Sequence, residues 1–329
     1  MDIVKPVLYV VIPCYNEEEV LPETAKRLRE KMSSLLKKDI VSDKSRVLLV
    51  NDGSKDLTWQ AIELLCHEEP NLFEGVKLSR NRGHQNALLA GLMTARNRCD
   101  ISISMDADLQ DDMDAIDAFI EKYNEGCEIV YGVRNKRDTD TFFKRETALM
   151  FYRLMRGLGV DITYNHADYR LMSNRALNAL AEFKEVNLFL RGLSPLVGFQ
   201  SDVVYYDRNE RFAGESKYPF KKMLAFAIDG ITSFSVKPLR LITSAGVIVF
   251  LLSLCMLLYT LTSFFTGHAV LGWTSTLASI WMLGGIQLLS LGIVGEYIGK
   301  IYNETKRRPR FIIDRYLNEK KEDPVVDEV

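Results

Sequence analysis

The chain has 329 residues, with 42 Lys and Arg against 44 Asp and Glu for a net charge of −2. That length exceeds one small domain and suits one α/β domain plus an appendage, and the near-neutral balance gives no electrostatic footprint for a nucleic-acid partner. The five cysteines, Cys14, Cys66, Cys99, Cys127 and Cys255, form no CxxC pair and have no His at metal spacing, which points to small buried thiols in a reducing compartment.

Residues 7–12 are the first apolar run, too short and too late for a signal peptide, and they read as a strand ended by Pro13. Asn16, with Glu19 three residues on, reads as the cap of a helix starting near Glu17, whose stripe is Leu21, Ala25, Leu28, Met32 and Leu35. A second strand, 47–50, ends in Asn51-Asp52-Gly53-Ser54, with a helix from about Asp56. A third, near 75–78, ends in Ser79-Arg80-Asn81-Arg82-Gly83-His84-Gln85-Asn86, with a helix over about 87–96. The fourth, Ile101-Ser102-Ile103-Ser104-Met105, releases Asp106-Ala107-Asp108-Leu109-Gln110-Asp111, of which Asp111 and Asp112 are expected to open the next helix. The fifth, 128–132, leads to Arg134 and a basic segment reaching Arg145. This alternation predicts a Rossmann-like parallel sheet with helices on both faces, and it gathers the polar clusters along one sheet edge. Neither GxGxxG nor Gly-Lys-Ser/Thr occurs, so a dinucleotide fold and a P-loop ATPase are unsupported.

After Phe143 the alternation is lost. A helix is expected over 146–158, then the segment containing His166-Ala167-Asp168-Tyr169-Arg170, with Ser173 as the cap of a helix through Leu180. A strand at 203–206 leads into Asp207-Arg208-Asn209-Glu210-Arg211-Phe212-Ala213-Gly214-Glu215-Ser216-Lys217-Tyr218. Residues 218–236 read as an interfacial helix. The runs 241–265 and 269–295 carry no charge, and each exceeds the roughly 20 residues that span a bilayer. Lys237 and Arg240 precede the pair, and Lys300, Lys306, Arg307, Arg308 and Arg310 follow it, so the positive-inside rule places the large domain and both termini on the cytoplasmic side of a multi-pass cell-membrane protein. The expected divisions are therefore 1–217 for the large domain, 218–236 for the interfacial helix, 237–300 for a two-helix hairpin, and 301–329 for a basic and then acidic tail. Gly284, Gly285, Gly292, Gly295 and Gly299 permit close helix packing and suggest a homo-oligomer.

Asp106, Asp108 and Gln110 are spaced so that their oxygens converge if the strand end curls, and such donors suit Mg²⁺ or Mn²⁺ shared with substrate phosphates. Acidic groups at strand ends with arginines after them suit a metal-bound diphosphate. A membrane anchor on the same chain implies that a soluble donor meets an acceptor held in the lipid, and the economical reaction is group transfer from a nucleotide diphosphate compound to a lipid head group.

Pro13-Cys14-Tyr15-Asn16-Glu17, Asn51-Asp52-Gly53-Ser54, Asp106-Ala107-Asp108-Leu109-Gln110 and Arg211-Phe212-Ala213-Gly214-Glu215-Ser216-Lys217-Tyr218, in that order, resemble the inverting GT-A glycosyltransferases of family 2. Within them the chain is similar to the polyisoprenyl-phosphate glycosyltransferases, the bactoprenol glucosyltransferase and dolichol-phosphate mannose synthase group, over all but the acidic tail. The resemblance implies a GT-A fold and a UDP-sugar donor, with undecaprenyl or dolichyl phosphate as acceptor. It implies that Pro13, Tyr15, Glu17 and Asp52 hold the nucleotide and that Arg134 reaches a phosphate. Asp106, Asp108 and Gln110 would hold the metal, which makes Asp108 a catalytic residue as well. Arg208, Arg211, Ser216 and Lys217 would bind the acceptor phosphate, and Asp168 falls at the catalytic carboxylate. The family often carries Lys at the position of His84.

A lipid monophosphate has a second pKa of about 6 and is already a nucleophile at neutral pH. Asp168 is therefore expected to orient Arg170 or a sugar hydroxyl, or to stabilise an oxocarbenium ion, at least as much as to take a proton. Blander readings stand beside these. Asp52 also fits a plain turn, Arg80 and Arg82 fit surface charges, and His166 reads as structural before it reads as a ligand. N-acetylglucosamine and mannose are alternative sugars. A processive polysaccharide synthase is disfavoured because no Gln-x-x-Arg-Trp occurs, and a membrane scaffold or flippase partner has no need of clustered, repelling carboxylates.

Overall fold

The structure, a computed structural model, describes residues 5–135, 166–185, 190–207 and 273–317, with scattered helical residues between 239 and 255. In chain order the elements are β1 (Leu8–Cys14), α1 (Leu21–Lys37), β2 (Arg46–Asn51), α2 (Thr58–Glu68), β3 (Phe73–Leu78), α3 (His84–Ala95), β4 (Ile101–Ser104), α4 (Ala115–Asn124), β5 (Ile129–Arg134), β6 (His166–Ser173), α5 (Asn174–Ala181), α6 (Leu190–Leu196), β7 (Ser201–Tyr206), α7 (Trp273–Lys306) and β8 (Ile313–Leu317).

The eight described strands join one sheet in the order β7-β5-β6-β4-β1-β2-β3-β8. β4, β1, β2 and β3 pair in parallel, as do β5 and β7. β1 and β4 are buried along their whole length, as expected of strands covered on both faces.

The sheet is not wholly parallel, which corrects the expectation. β6 runs antiparallel between β4 and β5, with Ser104 opposite Arg170 and Val133 opposite His166. β8 runs antiparallel along β3. β6 follows β5 after 31 residues and β8 lies more than 200 residues beyond β3, so neither belongs to the regular strand-helix alternation that sets the parallel direction. β6 therefore begins at the edge where β4 and β5 end, and Asp168 reaches that edge from the opposite direction. β8 is equally unexpected, because residues 313–317 were assigned to the tail and instead complete the sheet.

The first helix also starts later than expected, at Leu21 with Pro22 in its first turn. Asn16 adopts φ 55°, and its Oδ1 accepts the Lys55 N–H (2.9 Å) instead of capping its own helix. Asn16 N–H donates to Ser54 Oγ and Glu17 N–H to Thr58 Oγ1, while Glu18 accepts the Leu57 N–H. The loops after β1 and β2 are stitched together, and that use of the residues displaces the helix start. Ser173 does cap as expected, its Oγ accepting from the Ala176 N–H.

The four described cysteines of this unit are buried, without disulfides. The contacts divide the chain into one unit holding the sheet, to which Arg308 onward belongs, and a second that contains α7. Within α7, Met282–Lys306 contains an 18-residue window with a mean hydropathy of 1.3 and no buried residue, with Leu288 72% exposed, so the helix is long and apolar enough to cross a membrane. It is the one such helix among the described residues. The run 241–265 lies mostly outside them, and so do the helix expected over 146–158, the basic segment to Arg145 and the interfacial helix 218–236.

Candidate active site

The ends of β1, β2, β4, β5 and β7 and the start of β6 meet at one edge of the sheet. After β4 the chain turns sharply, because Leu109 adopts φ 60°, a left-handed conformation that costs a residue with a Cβ about 1 kcal/mol or more. The turn brings Gln110 N–H to Asp108 Oδ1 (3.2 Å) and Asp111 Oδ2 to the Asp106 N–H (3.4 Å).

Asp111 departs from expectation. It does not open a helix, since α4 begins at Ala115. It is buried, and its Oδ1 accepts the Tyr206 hydroxyl (2.7 Å). The Arg134 Nε donates to the same hydroxyl at 3.3 Å, and its Nη2 lies 3.8 Å from Asp111. One carboxylate thus joins the backbone of Asp106 to the arginine at the end of β5. Gly132 makes room for this arrangement, because a Cβ there would stand 2.8 Å from the Tyr169 carbonyl and 3.0 Å from the Tyr206 ring.

Asp168 is clamped from several sides. Arg191 donates to both of its oxygens, Nε to Oδ1 at 3.1 Å and Nη2 to Oδ2 at 3.0 Å. Arg170, fully buried, donates Nη2 to Oδ1 at 3.1 Å and Nη1 to the Leu190 carbonyl and Ser194 Oγ. Gln85 donates Nε2 to Oδ2 at 3.3 Å and accepts the Leu190 N–H, fixing the start of α6 beside Asp168. Burial works against the charged carboxylate, but Arg191, His84 and Arg170 outweigh it and hold its pKa well below the ordinary value.

His84 sits between the two acidic centres, its Nε2 3.5 Å from Asp106 Oδ1 and 3.6 Å from Asp168 Oδ2. Burial opposes its charge, yet these carboxylates raise its pKa. The Asp106 carboxyl is pushed up to about 6 by burial and, against the relief that His84 gives, by repulsion from Asp111, Asp168 and Asp108. Crowded carboxylates of this kind fit a cation, and the donors Asp106, Asp108 and Gln110 are all oxygens, as a hard divalent ion requires. Among the described residues no three acidic, His or Cys side chains close on one point.

Of the residues expected to hold a nucleotide, Pro13 pairs with Val50 inside the sheet, Tyr15 is 41% exposed and Glu17 is tied to Thr58. Asp52 is buried, and its oxygens accept the N–H groups of Arg82 (2.7 Å) and Gly83 (2.9 Å). Its position binds the loop before α3 to the end of β2. Gly53 approaches the same loop so closely that a Cβ would stand 2.4 Å from the Asn81 nitrogen.

Pro13, Tyr15, Glu17, Asp52, Asp106, Asp108, Gln110, Arg134 and Asp168 therefore share this edge. Arg208, Arg211, Ser216 and Lys217 lie outside the described residues. The site also holds Gln85, Asp111 and Arg191, to which the sequence reading gave no role there. Arg191 had one signal, a single charge inside the apolar run Leu188-Phe189-Leu190-Arg191-Gly192-Leu193.

Comparison with known proteins agrees with this geometry. Residues 9–181 match "Glycosyl transferase family 2" and residues 237–301 match "GtrB C-terminal hairpin". The chain is 54% identical over 310 residues to "Uncharacterized glycosyltransferase YkoT" of Bacillus subtilis (strain 168), covering 94% of this chain and 92% of that protein. It is 40% identical over 311 residues to "Prophage bactoprenol glucosyl transferase homolog" of Escherichia coli (strain K12), covering 93% and 98%. It is 40% identical over 309 residues to "Bactoprenol glucosyl transferase" of Shigella phage SfX, covering 92% and 97%. A strand-edge site of clustered carboxylates and arginines, inside a family match over more than half the chain, means that this protein belongs to glycosyl transferase family 2 and is a glycosyltransferase.

Proposed function

We propose that the protein moves a hexose, glucose first, from a UDP-sugar to a polyprenyl phosphate such as undecaprenyl phosphate, on the cytoplasmic face of the cell membrane and with inversion. The observation that carries this reading is the joint occurrence of the family 2 domain and the GtrB hairpin in one chain, alongside relatives named for glucosyl transfer to bactoprenol that align over more than nine tenths of it. Residues 237–300 would form a two-helix membrane hairpin, to which the apolar Met282–Lys306 segment belongs, with membrane lipids around it and a homo-oligomer as its assembly.

In the reaction, a phosphate oxygen of the acceptor attacks the sugar C1, the bond from C1 to the UDP β-phosphate oxygen breaks, and UDP leaves with the electron pair. The acceptor is largely dianionic above a pH of about 6, so no proton needs to be taken from it. A carboxylate with two guanidinium groups on its oxygens is a poor proton acceptor, which makes orientation the work of Asp168. It holds Arg170 and Arg191 at the sheet edge and sets a negative charge near the developing oxocarbenium ion.

Asp106, Asp108 and Gln110 would hold Mg²⁺ or Mn²⁺, which when bound neutralises diphosphate charge and so improves the leaving group. Pro13, Tyr15, Glu17 and Asp52 border the nucleotide in this reading. Arg134, anchored through Tyr206 and Asp111, meets the diphosphate, and Arg208, Arg211, Ser216 and Lys217 take the acceptor phosphate. The test is a donor screen with purified protein, polyprenyl phosphate, Mg²⁺ or Mn²⁺, and radiolabelled UDP-glucose, UDP-N-acetylglucosamine, UDP-galactose and GDP-mannose. UDP-glucose should give the fastest lipid-linked label; transfer to lipid from none of them refutes the proposal.

A further inference from the structure

We infer that β8 is a positioning element of the active site and that it acts through Arg82; this rests on the transfer reaction proposed above. β8 follows α7 after Arg307 to Ile312 and lies along β3 with Val76 opposite Tyr316 and Gly75 opposite Leu317. It is more than a covering edge. Tyr316 is buried, with its hydroxyl on Glu74 and Arg98 stacked 4.6 Å from its ring centroid.

Where β8 begins, it takes hold of the loop between β3 and α3. Ser79 N–H donates to the Ile312 carbonyl at 3.0 Å, and Arg82 Nη2 donates to the Pro309 carbonyl at 2.8 Å. The Arg82 Nε is buried without a partner. The residue as a whole is half-buried, and the Pro309 carbonyl is the acceptor that fixes its guanidinium.

From Arg82 the contacts run without a gap to the reacting groups. Its own N–H is fixed by Asp52, and its carbonyl accepts from Asn86 Nδ2 at 2.9 Å. Gly83 then opens α3, whose first residues are His84, between Asp106 and Asp168, and Gln85, which holds both Asp168 and the Leu190 N–H. Arg191, next to Leu190, grips Asp168. The segment that leaves the apolar helix α7 therefore sets the place of the α3 start against the catalytic carboxylate. The joints in this chain are hydrogen bonds, the His84 ion pairs and steps between adjacent residues, and the exchange measurement below tests whether they couple.

The test uses the full chain in detergent or nanodiscs, with UDP-glucose and undecaprenyl phosphate. Arg82→Ala should lower kcat by roughly tenfold with either KM moved by no more than about twofold, since small misplacements of a reacting centre cost up to about a hundredfold. Arg82→Lys, which keeps a charged donor, should recover most of the loss. Tyr316→Phe, which loosens β8 at the far end of the ladder, should lower kcat in the same sense. Amide hydrogen exchange over residues 84–86, followed by mass spectrometry, should quicken in Arg82→Ala and Tyr316→Phe. Unchanged kcat in Arg82→Ala, a loss confined to KM, or unchanged exchange over 84–86 would each overturn the inference. A wild-type protein that transfers no sugar sinks the proposed function instead, and the exchange measurement still decides the coupling.

Discussion

Asp168→Asn separates orientation from proton transfer. In the folded protein the Asp168 and Arg170 side chains are 7% and 2% exposed, and Arg191 completes the cluster. Removing the one negative charge leaves two guanidinium groups facing each other, and breaking a buried pair in this way costs about 3–5 kcal/mol. Arg191 is a third exposed, so solvent relieves part of that cost, and the lower end of the range applies. Because the Asp168 pKa lies below its unfolded value, its stabilisation is fully present above about pH 4 and is lost as pH falls through the folded pKa. Between pH 5 and 8 the stability difference between wild type and Asp168→Asn should shrink as pH rises, because Asp168 also raises the pKa of His84, whose stabilising charge is lost as it deprotonates, and adds to the repulsion on Asp106. Adding Arg191→Gln should return part of the stability, since it removes one of the unpaired charges. For activity, loss of an oriented electrostatic group should lower kcat by roughly a hundredfold or more. The assay is kcat against pH from 5.5 to 9 with polyprenyl phosphate as acceptor. Wild type should rise with ionisation of the acceptor, near a pKa of about 6, and the variant should run parallel at a lower level. If instead the gap to wild type closed as pH supplied ionised acceptor, Asp168 would be a base and the reasoning would be wrong.

Asp108→Ala should abolish transfer while leaving membrane insertion intact, checked by membrane fractionation alongside the lipid-linked product. Chelation with EDTA should stop the wild-type reaction, and Mn²⁺ or Mg²⁺ should restore it. Tyr206→Phe takes a donor from the buried Asp111, which should cost about 1–3 kcal/mol of stability and raise the KM for UDP-sugar through a looser Arg134. Gly53→Ala combines φ +63° with a Cβ placed 2.4 Å from a backbone nitrogen, so thermal unfolding should show a loss of about 2 kcal/mol or more.

Much of the sheet was legible because β1 to β5 are buried runs that end abruptly in polar clusters, a pattern set by coverage on both faces. β6 was not, because its buried face contains Asp168 and Arg170, which neutralise each other only in three dimensions. β8 was hidden for another reason. It is an edge strand with Asp314 and Arg315 exposed, directly after a basic run, so its sequence reads as tail. Asp106, Asp108 and Gln110 stood out by spacing, and Asp168 by resemblance. Asp111, Gln85 and Arg191 carry no local motif, because their partners lie far along the chain: Tyr206 is 95 positions from Asp111 and Asp168 is 83 from Gln85. The lost helix start at Asn16 has the same origin, since a good capping residue was spent on the Lys55 N–H across two loops.

The central claim is inverting transfer of a hexose onto a lipid phosphate, and the anomeric configuration of the product tests it most directly. Purified protein given α-linked UDP-glucose, undecaprenyl phosphate and Mn²⁺ should yield a β-linked glucosyl lipid monophosphate by NMR, with none formed by Asp108→Ala. An α-linked product, or no glucosyl lipid at all, would contradict the account.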